Sequence, residues 1–219
     1  LNPAGLEESY RAIRARVDAA SRAAGREVTL VAVSKKQPLE AIEALYRLGQ
    51  RDFGENYAQE LTEKASALSA RGCSGLRWHM IGHVQSNKVK LLAPWVSCVQ
   101  TVDSPKLARA LAALWKGPVF LEVNIDGEAS KAGVSPADAP ELAREVATVA
   151  GLELRGLMCV PSATDSRPAF ARLRELGERC RAFTRGELSM GMSGDFELAI
   201  AEGATHVRVG TALFGSRPT

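Results

Sequence analysis

The residues of this chain best suited to chemistry are a lysine closing a short apolar run and two loops of small residues far downstream. The run is Val28-Thr-Leu-Val-Ala-Val-Ser-Lys-Lys36, with the β-branched composition of a strand buried on both faces. A side chain leaving the C-terminal end of such a strand stands where parallel α/β sheets bind ligands. Lys35 therefore reads in two ways. It is a solvated lysine ending a strand, or a desolvated amine that attacks a carbonyl and forms a Schiff base. Strand alternation groups Lys35 with Val31 and Val33 and turns Lys36 to the opposite side.

The downstream loops read Gly191-Met-Ser-Gly194 and Gly210-Thr211. Small residues let backbone N–H groups approach phosphate oxygens closely, and Ser193 and Thr211 add hydroxyl donors; turn glycines with capping hydroxyls would look the same. Arg208 lies among valines two residues before Gly210. A buried guanidinium requires a partner, and both a carboxylate and a pyridine nitrogen qualify. A lysine facing a phosphate cradle suggests a Schiff base to a phosphorylated carbonyl compound. Pyridoxal 5′-phosphate and the sugar phosphate of an aldolase both fit, and pyridoxal phosphate sites commonly set an Asp or Arg against the ring nitrogen.

Other chemistries find little support. His79 and His83 share one segment, but no His-Glu-x-x-His pattern or carboxylate cluster accompanies them, so the three histidines read as structural. Gly191-Met-Ser-Gly-Asp195 lacks the last glycine of a hydrolase elbow. Neither a Walker phosphate loop nor Gly-x-Gly-x-x-Gly occurs. Glu55 beside Asn56 is an acid/base candidate or an ion-paired carboxylate. The four cysteines, Cys73, Cys98, Cys159 and Cys180, are too scattered for zinc or a disulfide scaffold and read as reduced thiols. A net charge of +3 and 5% aromatic residues do not describe a nucleic-acid surface. No apolar run approaches the roughly 18 residues of a membrane span, and no signal peptide is visible. A cytoplasmic protein is expected.

The elements that must position these residues follow from periodicity. Asn2 and Pro3 start a helix striped by Leu6, Tyr10, Ile13, Val17 and Ala20 and ended by Gly25. Strands are expected at 28–36, 51–56, 76–82, 96–102, 119–125, 152–160, 187–190 and 206–210. Helices stand between them: one after Pro38; one striped by Tyr57, Leu61, Ala65 and Leu68; one from Gln85 to Leu92; one capped by Ser104; one from Ser135-Pro136; an arginine-rich one reaching about Thr184; and a short one ending at Gly203. Eight strands alternating with helices predict a parallel sheet. The count and the 219-residue length fit a single (β/α)8 TIM barrel spanning the chain, with an additional leading helix. An open doubly wound sheet is the alternative. In the barrel, Lys35, Asn56, the Gly82-His83 corner, residues 191–194 and Gly210-Thr211 share one face.

Six ordered motifs resemble the pyridoxal phosphate homeostasis proteins, or proline synthetase co-transcribed homologues. They are Val33-Ser-Lys35, Phe53-Gly-Glu-Asn56, His79-Met-Ile-Gly82 with Gln85-Ser-Asn-Lys88, Gly156-Leu-Met158, Leu188-Ser-Met-Gly-Met-Ser193 and Val207-Arg-Val-Gly-Thr211. The resemblance implies an α/β barrel of the alanine racemase N-terminal type that carries the cofactor as an internal aldimine on Lys35. It also implies Met192, Ser193, Gly210 and Thr211 around the phosphate, Arg208 at the pyridine nitrogen and Asn56 beside the cofactor. Gly194, where an acidic residue often follows the serine, and a short 161–168 loop depart from the pattern. The family's members are regarded as carriers or regulators of cofactor supply, not established enzymes. The expected partners are pyridoxal phosphate and apo forms of pyridoxal phosphate-dependent enzymes, with the chain a monomer or weak homodimer. A racemase of low activity is the alternative, although the second domain that supplies a catalytic tyrosine in alanine racemases is not expected here. A Schiff-base aldolase is a further alternative.

Overall fold

The computed structural model describes residues 3–162 and 165–215. Asn2 and part of the 161–168 loop lie outside the described residues. Eight strands close into a barrel in sequence order: β1 (Thr29–Val33), β2 (Asp52–Glu55), β3 (Arg77–Met80), β4 (Val96–Val102), β5 (Gly117–Glu122), β6 (Leu152–Met158), β7 (Glu187–Ser189) and β8 (His206–Val209). Every pairing is parallel, including the closing one, in which Thr29 to Ala32 register with His206 to Val209. Closure removes the unpaired strand edges an open sheet would leave and excludes the doubly wound alternative.

The helices are α1 (Pro3–Ala24), α2 (Leu39–Arg47), α3 (Ala58–Ala70), α4 (Val89–Leu92), α5 (Pro105–Leu114), α6 (Ala139–Ala147), α7 (Arg167–Arg179), α8 (Phe196–Ala201) and α9 (Thr211–Phe214). Leu6, Tyr10, Ile13 and Val17 of α1 are buried as their spacing predicts, and α1 packs on α2, α8 and α9, which flank β1 and β8 in sequence. The main apolar core fills the layer between sheet and helices. Ser104 caps α5 by accepting the Leu107 N–H at 3.4 Å.

Several boundaries move. Residues 85–92 hold a short 3₁₀ turn, Ser86–Lys88, followed by one turn of α-helix rather than a continuous helix. Ser135 accepts the Asp138 N–H in a turn, so α6 begins at Ala139 and not at Pro136. The arginine-rich α7 stops at Arg179. β5 ends at Glu122, after which Val123 forms only an isolated bridge to Val134. Tyr57, expected on the inward stripe of α3, sits at its N-cap and is 57% exposed. Thr211 opens a helical turn that periodicity did not reveal.

Candidate functional site

Lys35, Asn56, Met192, Ser193, Arg208, Gly210 and Thr211 line one cavity of about 300 Å³, together with Val33, Ile81, Val160 and Gly194. It opens beyond the C-terminal ends of β1, β2, β7 and β8, the face on which barrels carry their sites. Val160 and Met192 flank it with 39% and 37% of their surface exposed.

On the β7–β8 side the loops are tied through Ser193, whose Oγ accepts the Gly210 N–H at 3.3 Å and the Ala212 N–H at 3.2 Å. Gly191 makes the approach possible. Its φ is +93°, and an added Cβ would lie 2.5 Å from the Ala199 Cβ on α8, so a side chain here would meet both backbone strain and a clash. Among the described residues, the backbone N–H groups of Ser193, Gly194 and Thr211 have no protein acceptor. Converging donors of this kind form an anion-binding concavity.

On the β1 side Lys35 is half-buried and shares the cavity with Val33, whereas Lys36 is exposed. Both neighbours of Lys35 are anchored. Ser34 Oγ donates to Glu55 Oε1 at 2.7 Å, and the Lys36 N–H donates to the Glu60 carboxylate. Lys64 of α3 knits these groups together: its Nζ donates to the Ser34 carbonyl at 2.6 Å, to Glu55 Oε1 at 2.8 Å and to Glu60 Oε1 at 2.7 Å. Burial pushes the Glu55 carboxyl above its ordinary range, opposed by the Lys64 charge and the bonds from Lys64 and Ser34. Glu55 is thus the ion-paired member of the two readings it allowed. Its Oε2 and the Asn56 Oδ1 are buried without a hydrogen-bond partner.

Arg208, buried on β8, lines the same cavity. Its Nη1 donates to Ser189 Oγ at 2.6 Å and its Nη2 to the Cys159 carbonyl at 2.8 Å. Burial holds its pKa below the ordinary arginine range, and no carboxylate among the described residues pairs with it. Where its sequence context allowed a carboxylate, a hydroxyl and a backbone carbonyl accept from it instead.

The chain is 46% identical to the pyridoxal phosphate homeostasis protein of Pseudomonas aeruginosa over 224 residues, which cover 97% of this chain and 96% of that one. The chain belongs to the pyridoxal phosphate homeostasis protein family. The Escherichia coli K12 member of this family is 40% identical over 222 residues, with 94% of each chain covered. PipY of Synechococcus elongatus, solved with PLP bound, superposes at a TM-score of 0.82 with 32% identity, covering 96% of this chain and 100% of that one. Residues 9–218 match the broader family described as alanine racemase, N-terminal domain.

Lys64, Ser189 and Gln100 were not singled out by sequence, although each left a trace. Lys64 stands three residues after Leu61 and four before Leu68, on the buried stripe of α3. Ser189 and Gln100 are polar residues wholly buried within their strands. Glu122, with its Oε2 buried and unbonded and its carboxyl pushed up by burial, was missed too. Among the described residues no three His, Cys, Asp or Glu side chains are grouped to hold a metal ion. No described helix is long and apolar enough to cross a membrane.

Proposed function

We propose that this chain binds pyridoxal 5′-phosphate through a Schiff base to Lys35, holds it in the cytoplasm and yields it to apo forms of pyridoxal phosphate enzymes. The observation that carries the reading is the convergence of lysine, arginine, asparagine and two small-residue loops on one cavity. The donor set fits the cofactor group by group. The N–H groups of Ser193, Gly194 and Thr211, with the Thr211 hydroxyl and the Ser193 hydroxyl hydrogen that no protein group among the described residues takes, suit a phosphate dianion. The Lys35 amine suits an aldehyde: nitrogen bonds to the carbonyl carbon, and the carbonyl oxygen leaves as water. Arg208 offers N–H donors to a ring nitrogen, and the unbonded Asn56 Oδ1 suits a hydroxyl donor on the ring. The names of the relatives and the PLP-bound PipY structure support the same reading.

When bound, the cofactor supplies an electrophilic carbon and an electron-accepting ring. Arg208 has no acidic proton to give that ring at neutral pH, so it leaves the ring nitrogen unprotonated and a weak electron sink. Holding and releasing the aldehyde is thereby favoured over removal of an α-proton. Mixed with an apo pyridoxal phosphate enzyme, the loaded protein should restore that enzyme's activity. L-alanine incubated with it in deuterated water should keep both its α-hydrogen and its chirality. Racemisation at about one turnover per second or faster would replace the carrier reading with the racemase.

The cradle gives a separate expectation. Pyridoxal, which lacks the phosphate, should bind far more weakly than pyridoxal 5′-phosphate. Ser193→Ala and Thr211→Ala should each weaken binding of the phosphate ester by roughly 1–3 kcal/mol, the range for a hydrogen bond to a charged group. Equilibrium titration of each variant with the two compounds measures both effects, and equal affinities would remove the cradle.

A further inference from the structure

Arg208 is the first member of a hydrogen-bond chain that crosses the barrel interior. Its Nη1 donates to Ser189 Oγ at 2.6 Å. Ser189 Oγ donates to Gln100 Oε1 at 2.7 Å. Gln100 Nε2 lies 3.0 Å from His79 Nδ1, and His79 Nε2 lies 3.0 Å from Asp52 Oδ1. Asp52 is held in turn by Arg77, whose Nε donates at 2.7 Å. Ser189 is on β7 and Gln100 on β4, which are not neighbours in the closed sheet; the bond between them therefore runs through the lumen.

With Gln100 Oε1 toward Ser189 and its Nε2 toward His79, the polarity of this chain has one solution. A guanidinium can only donate, so Ser189 accepts from it, and the Ser189 hydrogen goes to Gln100 Oε1, which can only accept. With its oxygen occupied, the Gln100 amide directs its NH₂ at His79 Nδ1. The His79 proton then sits on Nε2 and goes to Asp52. An obligate donor starts the chain and a carboxylate ends it. That carboxylate stays charged: burial disfavours it, but the bonds from His79 and Arg77 prevail and lower its pKa to about 2.

Satisfying Arg208 alone would not require so much. Ser189 and the Cys159 carbonyl already accept from it, and the same lumen is filled cheaply elsewhere by Cys98, Phe120 and Met158. Buried polar side chains in place of such apolar ones are costly unless each bond is made. What Gln100 adds is direction. By taking the Ser189 hydrogen, it fixes a lone pair of that hydroxyl toward Arg208.

We infer that Ser189, Gln100 and His79 are positioning residues that aim the Arg208 guanidinium at the ring nitrogen of the bound cofactor, with Asp52 as the anchor of their polarity. The inference rests on the cofactor reading above. Its test compares pyridoxal 5′-phosphate with the analogue whose ring nitrogen is replaced by CH, by equilibrium titration. The native protein should prefer the nitrogen-containing ring. Gln100→Leu, Ser189→Ala and His79→Leu should each reduce that preference about tenfold or more, the equivalent of a bond to a charged group. Affinity for the CH analogue should stay near native. His79→Gln, whose amide can accept from Gln100 and donate to Asp52, should keep the native preference. Ser189→Ala and His79→Gln carry the test if Gln100→Leu does not fold. If both affinities fall together and the preference stays native, the side chains only support packing and the inference is overturned, while the placement of Arg208 survives. If the native protein shows no preference, Arg208 does not face the ring nitrogen and the inference falls with that placement. If it binds neither compound, the cofactor reading itself has failed.

Discussion

Lys35→Ala should yield a folded protein that develops no visible Schiff-base band with pyridoxal 5′-phosphate and retains no cofactor after borohydride reduction; Lys36→Ala should keep both. The contrast follows from the end of β1. Val33 and Lys35 line the cavity, and Ser34 between them turns away to reach Glu55. Lys36 is exposed, with φ at 60°, and its contribution to the site is the backbone N–H held by Glu60. Lys36→Ala keeps that N–H, and Lys35→Ala removes the amine on which the proposed covalent bond depends. Absorption spectra and mass spectrometry of the reduced proteins read the result directly. Loss of the band in Lys36→Ala instead would mean that the wrong lysine has been assigned.

The largest effect on stability should come from Lys64→Met. The Glu55 side chain is 0% exposed and Lys64 is the cation bonded to it. Truncating one partner of a buried pair leaves the other uncompensated, which costs about 3–5 kcal/mol. Urea unfolding of the apo-protein at neutral pH should show a loss of that order. The pH dependence provides a signature. Burial already raises the Glu55 pKa, and removing Lys64 takes away the charge that opposes the rise. A raised carboxyl pKa lowers stability as pH climbs through and above the unfolded carboxylate range. The deficit of Lys64→Met should therefore be greatest near neutrality and shrink on acidification, as Glu55 takes up a proton. Glu55→Gln in the same chain should recover part of the loss. A deficit independent of pH would assign the effect to packing of the lysine stem instead.

Much of the site was readable before the fold, because its parts lie at strand ends. β4 runs from Val96 to Val102 as expected, and the seven residues that the family resemblance implies around the cofactor all line the cavity, whereas the Gly82-His83 corner does not. A strand's apolar run fixes where the chain leaves the sheet, and a parallel barrel collects those exits on one face. Less legible were the groups whose partners lie across the molecule. His79 reads as structural in its own segment, but its bond to Gln100 depends on the register of β3 with β4, and the bond from Gln100 to Ser189 depends on closure. Lys64 shows a different limit. Its place on the α3 stripe was visible, yet a lysine there could as well extend its stem over the core and put its ammonium in water. The Glu55 and Glu60 carboxylates decide between these outcomes. Residues 85–92 misled because an apolar spacing of one turn, Val89 to Leu92, suffices for burial without a longer helix.

The pairing of β1 with β8 sets an order of events during synthesis. Lys35 is made well before the strand beside it that carries Arg208, which follows 173 residues later, and before the loop that carries Thr211. At about 5–20 residues per second, roughly 9–35 seconds of translation separate the proposed nucleophile from its proposed phosphate cradle. A nascent chain in that interval has the amine without the groups that would distinguish one aldehyde from another. On the proposed function, selective capture begins only when the barrel closes, and the ring of strands is then a checkpoint between making this protein and loading it.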